Sequence, residues 1–196
     1  MKLSSIFHPI RALNQMLGTD ETAYDCAMLV IPRVVRSIPP IRSVIDLGCG
    51  AGQWLAAFHE KIGCDIHGYD LRPYRKSKMW IKESEYTCVD LSRPGIFSSR
   101  VDLAICLEVA EHLPESIAPH LVTNLCDVAP AILFSAATPG QGGWKHINEQ
   151  PLEYWSERFV AKGYQIVAKF TDMNFAECPW YRKNMRLYLK TISAGQ

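Results

Sequence analysis

Three absences bound this sequence before any motif is considered. Its seven cysteines (Cys26, Cys49, Cys64, Cys88, Cys106, Cys126 and Cys178) include no CxxC pair and no Cys/His cluster at zinc spacing, so no metal is expected. Several lie inside apolar runs, where a cysteine acts as a small hydrophobe with a free thiol, the usage of a reducing compartment. A continuous apolar stretch is missing from the start, MKLSSIFHPIRALNQ, and no run approaches membrane-spanning length. A cytoplasmic protein without a membrane partner is therefore expected. Charge of one sign is missing too: 21 Lys and Arg against 20 Asp and Glu leave +1, too little to gather nucleic acid or anionic lipid. The densest basic run, Arg72, Arg75, Lys76 and Lys78, reads as solvated surface.

Repeats, low-complexity tracts and long linkers are also lacking. The 196 residues suit one domain spanning 1–196, with residues 1–19 as an irregular N-terminal extension. Ala27, Val30, Ile31 and Val34 then recur at helical spacing, although Pro32 predicts a kink or an early break. Strands and helices alternate from there. Strands are expected at Ser43–Leu47, Asp65–Tyr69, Tyr86–Val89, Val101–Leu107, Ala131–Ser135, Gln165–Phe170 and Asn184–Lys190. Helices are expected at Trp54–Ile62, Glu115–Val128 and Pro151–Lys162. Such alternation predicts a doubly wound α/β fold, a mostly parallel seven-stranded sheet with helices on both faces. About a dozen residues separate the last two strands, too few for a crossover helix, so an antiparallel last strand is expected, paired hairpin-like with the strand before it at one sheet edge. Ligands of such sheets sit outside the carboxyl ends of the strands.

The chemistry-bearing residues cluster at those ends. Val44-Ile45-Asp46-Leu47-Gly48-Cys49-Gly50-Ala51-Gly52 runs a strand into a turn of three alternating glycines, which lets backbone approach a ligand. Gln53 stands where a dinucleotide-binding GxGxxG would place its last glycine, which disfavours a nicotinamide cofactor. Asp70 follows Gly52 by eighteen residues, at the end of the second strand, where a carboxylate accepts hydrogen bonds from ribose hydroxyls. Asp90 follows the third strand, though Asp-Leu-Ser also begins a turn well. The fourth strand ends in Leu107-Glu108-Val109-Ala110-Glu111-His112.

On these residues the chain resembles the class I S-adenosylmethionine-dependent methyltransferases, in particular the small-molecule branch with E-V-x-E-H after strand four. The resemblance spans roughly residues 40–113 well and the rest of the sheet more loosely. It implies S-adenosylmethionine as cofactor, with S-adenosylhomocysteine as product. Asp46, Gly48, Cys49, Gly50 and Gly52 would line its methionine end, and Tyr24 would close over the carboxylate. Asp70 and Leu71 would hold ribose and adenine, Asp90 and Leu91 the adenine amino group, and Leu107 and Glu108 would border the methyl. The same family implies the antiparallel last strand. No [DN]-P-P-[YF] run follows strand four, and no aspartate/asparagine constellation of the magnesium-dependent catechol type is visible.

A second cluster follows strand five: Gln141-Gly142-Gly143-Trp144-Lys145-His146-Ile147-Asn148-Glu149-Gln150. A polar, glycine-rich loop where the crevice opens is a substrate-site candidate. His146 is the candidate base, equally readable as a tie between loop and helix, and Glu108 is the second candidate catalytic residue. Trp144, His112, Tyr154 and Trp180 are the expected acceptor contacts. Glu111 and His112 also read as side chains bonding backbone at a helix entrance. A histidine near the methyl favours O-methylation of a small molecule or a carrier-linked sugar. A small amine acceptor and a non-catalytic cofactor-binding role remain the alternatives. Nucleic acid is not expected as a partner, and a second copy of the chain is the protein partner considered.

Overall fold

A computed structural model describes residues 21–93, 97, 100–174 and 179–191. The extension over 1–19 and Cys178 lie outside them. The first helix, α1 (Thr22–Ser37), buries Cys26, Ala27, Val30, Ile31 and Val34 along one face. It runs through Pro32 without a break, contrary to the sequence expectation. The ring removes one backbone hydrogen bond, but the apolar stripe on either side stays packed and holds the helix together.

The elements that follow are β1 (Ser43–Leu47), α2 (Gln53–Ile62), β2 (Asp65–Asp70), β3 (Tyr86–Cys88), β4 (Leu103–Leu107), α3 (Ala118–Val128), β5 (Ala131–Ser135), α4 (Leu152–Ala161), β6 (Tyr164–Lys169), α5 (Pro179–Asn184) and β7 (Arg186–Lys190). The strands form one sheet in the order β3-β2-β1-β4-β5-β7-β6. Pairs from β3 to β5 are parallel, while β7 runs antiparallel to both β5 and β6. The expected antiparallel pair of last strands is present at one edge of the sheet, with β7 inserted between β5 and β6. The short helix α5 was not anticipated. It takes Asn184, which the sequence reading gave to the last strand, and shortens that strand to five residues.

The alternation along each strand builds two cores. Val44, Leu103, Ile105, Leu107 and Leu133 face α1 and α2. Ile45, Ala104, Cys106, Ile132 and Phe134 face α3 and α4, where Trp155 and Phe159 are buried. Each of those large side chains contributes about 1.5–3 kcal/mol by leaving water. The helices thus cover both faces, and the chain reverses its winding between β1 and β4, which places the topological switch point beside the glycine turn. No helix among the described residues is long and apolar enough to cross a membrane.

Candidate active site

The glycine turn is shaped by what a side chain there would strike. Gly48, Gly50 and Gly52 have φ of 90°, 59° and 85°, a region costly for residues with a Cβ. A Cβ on Gly48 would lie 2.3 Å from Val109 Cγ2, and one on Gly52 2.8 Å from Ile81 Cγ1. The amides of Gly48 and Cys49 both donate to the Tyr69 carbonyl, which fastens the turn to β2. Gly52 caps α2 without any side-chain hydrogen bond, so the first amides of that helix point toward the crevice. Gly52→Ala combines a left-handed backbone with a clash against a buried isoleucine. It should cost about 1–3 kcal/mol, read as a lower urea midpoint; an unchanged midpoint would contradict this tight packing.

Asp70 faces the turn. Its Oδ2 accepts the Gly50 amide at 2.9 Å, and its Oδ1 accepts the amide and Nε of Arg72, each at 3.0 Å. Arg72, which sequence reasoning assigned to solvent, therefore covers the carboxylate. Its guanidinium lies over Gly50, and its carbonyl accepts the Tyr86 hydroxyl. Leu71 is 67% exposed beside it. Asp46 lies beneath the turn, 4% exposed; burial, and then the charge of Asp70, hold its carboxyl well above the usual range. Burial likewise raises the Cys49 thiol far above its ordinary value, so this cysteine is packing rather than nucleophile.

At the end of β4, Glu108 adopts φ 53°, an uncommon conformation for a non-glycine residue that accompanies functional sites. It turns the side chain inward, where Glu108 Oε2 accepts Gln141 Nε2 at 3.3 Å. The Gln141 carbonyl in turn accepts Asn184 Nδ2 at 2.9 Å. The Glu111 carboxyl is 0% exposed, and no donor reaches either oxygen in hydrogen-bonding geometry. Burial and the adjoining Glu108 carboxylate push Glu111 up to about 9, moderated by the nearby amides of Glu111 and Ala137. Burial also raises Glu108. The Glu111 carbonyl, not its side chain, ties down the loop after β5 by accepting the amides of Ile147 and Asn148.

That tie brings His146 to the site. Its Nδ1 meets Glu149 Oε1 at 2.9 Å, and the Glu149 carboxylate also accepts the amides of Gly140 and Gly142. The His112 ring stands T-shaped to His146 at 5.0 Å, with its Nδ1 3.2 Å from the Lys145 carbonyl. Burial lowers the His112 pKa and favours the neutral imidazole.

Other expected residues are placed differently. Tyr24 donates to Glu60 at 2.6 Å and stacks on Trp80, so it does not close over the glycine turn. With Trp80 it lines a cavity of ≈ 660 Å³ that none of the turn glycines, Asp70 or Glu108 borders. Tyr154 is held by the Arg158 guanidinium, 3.4 Å from its ring centroid, and by Glu115. Trp180 packs on the core beside Tyr181. Trp144 remains 58% exposed, with the Lys145 ammonium over its ring. Asp90 accepts the Ser92 amide at 3.0 Å and so closes a turn, Leu91 is buried in the α3/α4 core, and Leu107 ends β4 in the α1/α2 core. Arg72 and Asn184 had no place in the site read from the sequence, whereas Gln141 and Glu149 lay in the candidate loop without individual roles.

A family model described as a methyltransferase domain matches residues 21–169. No curated protein sequence matches. Among solved structures the chain is similar to a sugar N-methyltransferase from Streptoalloteichus, at 15% identity over 98% of this chain and 95% of that one, with a TM-score of 0.69. It is also similar to an amino pentose methyltransferase from Micromonospora echinaspora, solved with S-adenosylmethionine bound (13% identity, 97% and 98% covered, TM-score 0.66). A third is the magnesium protoporphyrin IX methyltransferase of Synechocystis with bound S-adenosylhomocysteine (14% identity, 94% and 95% covered, TM-score 0.62). At these identities the likeness is one of fold.

Proposed function

The chain belongs to the methyltransferase-domain family, and from that premise we propose that it transfers the methyl group of S-adenosylmethionine to a hydroxyl of a small molecule, a free or carrier-linked sugar included. One juxtaposition carries this reading. The glycine turn and Asp70 lie at the ends of β1 and β2, and Glu108, His112 and His146 follow β4 and β5 at the same edge of the sheet.

S-adenosylmethionine supplies a methyl already activated on a sulfonium. The residues of this chain have three tasks: to grip the donor, to align the acceptor and to take a proton. Asp46, Gly48, Cys49, Gly50 and Gly52 line the methionine end. Asp70 accepts the ribose hydroxyls once Arg72 moves aside, exposed Leu71 supplies an apolar seat for adenine, and Asp90 with Leu91 meets its amino edge. Leu107 and Glu108 border the methyl. Holding the acceptor oxygen in line at near-attack distance accounts for about 7–11 kcal/mol of barrier. The acceptor proton goes to His146, whose Nδ1–H is held by Glu149 and whose Nε2 keeps its lone pair.

The test is S-adenosylhomocysteine release across a panel of sugars, carrier-linked sugars, phenols and amines, with the product located by mass spectrometry. Methylated hydroxyls are expected. Methylation of amines alone would replace this reading with N-methylation. Cofactor binding without transfer to any member would favour the non-catalytic role.

A further inference from the structure

The side-chain cluster beyond the end of β4 holds more ligating groups than a single histidine base needs. We propose that Glu111, His112 and His146 bind one first-row divalent cation, a deepening of the function proposed above that rests on it for the role of the ion.

Geometry carries the site. Each of the three residues offers one ligand atom, and these atoms lie within 4.8 Å of one another. Nitrogen and oxygen ligands about 2.0–2.2 Å from a shared ion sit roughly 3–4 Å apart, a spread that small side-chain rotations reach. Glu111 supplies an independent sign. It is wholly buried, beside the Glu108 carboxyl and the amides of Glu111 and Ala137, and neither carboxylate oxygen meets a donor in full hydrogen-bonding geometry, an arrangement that is costly unless a proton or cation completes it.

The two imidazoles are already set as ligands. His112 Nδ1 faces the Lys145 carbonyl and His146 Nδ1 faces the Glu149 carboxylate. Both partners accept hydrogen bonds, so in each neutral ring Nδ1 carries the proton and Nε2 presents its lone pair. Carbonyl and carboxylate partners on the far nitrogen are the usual supports of metal-bound histidine. Lys145 reaches that position through a left-handed backbone, φ 56°. Gly143 keeps the Nε2 edge of His146 open, since a Cβ there would lie 2.3 Å from Nε2. Two imidazoles and one carboxylate suit a first-row transition dication better than calcium or magnesium.

With the ion in place His146 is a ligand rather than the direct proton acceptor. The ion would supply a Lewis acid to the acceptor oxygen, and Glu108 would replace His146 as the group that takes the hydroxyl proton. The oxygen lone pair forms the C–O bond to the methyl carbon as the C–S bond breaks. That bonding pair stays on sulfur as the neutral thioether, and Glu108 releases the proton to water.

The test strips the full chain with EDTA and titrates it with CoCl2, MnCl2 and MgCl2 by calorimetry, following the visible spectrum of Co2+. S-adenosylhomocysteine is titrated in parallel. One Co2+ per chain is expected, lost in His112→Ala and in His146→Ala. Glu149→Gln should bind on the order of 10–100-fold more weakly, and circular dichroism should be unchanged throughout. No stoichiometric Co2+ or Mn2+ binding to the folded chain, binding of Mg2+ alone, or Co2+ binding retained when both histidines are replaced overturns the proposal. Loss of S-adenosylhomocysteine binding with Co2+ binding intact would remove the methyl-transfer reading and leave the ion site standing.

Discussion

Replacing Asp70 with alanine should raise the Kd for S-adenosylhomocysteine about 10²–10⁴-fold. A ribose presents two hydroxyls to one carboxylate, and each hydrogen bond to a charged acceptor contributes about 1.5–3 kcal/mol. Arg72 is the competitor, because its amide and guanidinium fill the same oxygens in the ligand-free chain. Its side chain is 48% exposed, and ion pairs that open to water contribute roughly 0–1 kcal/mol. The ribose therefore wins the exchange. Arg72→Ala should bind the cofactor as well as the native chain or slightly better. Calorimetry on both variants checks this, and a change under tenfold for Asp70→Ala would sink the ribose assignment.

His146→Ala should lower kcat by about 10²–10⁴-fold while leaving S-adenosylhomocysteine affinity unaltered, since the loop after β5 touches none of the turn glycines among the described contacts. His112→Ala separates the two ways His146 can act. A direct base held by Glu149 does not need His112, and turnover would fall only slightly. A shared cation needs both rings, and turnover would fall comparably in the two variants. Initial rates at saturating donor, with and without added Co2+, distinguish these outcomes. Full activity in His146→Ala would remove this residue from the chemistry altogether.

What the sequence revealed follows from how local each signal is. β1, its glycine turn and β2 are written in adjacent residues, so Gly48, Gly50, Gly52 and Asp70 were legible before any fold was known. Helix α1 was half legible: its apolar stripe was clear, while the tolerance of Pro32 depends on partners from the sheet. The side-chain cluster was less legible, because its members meet only through the main-chain tie between Glu111 and the amides of Ile147 and Asn148. Glu111 looked like a helix-entrance residue because burial, the property that makes it unusual, is supplied by elements far along the chain. Tyr24 is the reverse case. Family likeness aimed it at the cofactor, whereas here its hydroxyl donates to Glu60. Asn184 went unnoticed because the short helix that carries it has too few residues to show a period.

The position of β7 has a consequence for synthesis. This strand is the last of the seven to be translated, yet it pairs on both sides, with β5 through Leu133 and Leu187 and with β6 through Ile166 and Tyr188. Until it emerges from the ribosome, a nascent chain carries two open strand edges, and the half of the crevice built by β5 has nothing behind it. Such edges are templates for pairing with other chains. The glycine-turn half, β1 to β4, pairs without β7, so its strands can be matched before the last strand is made.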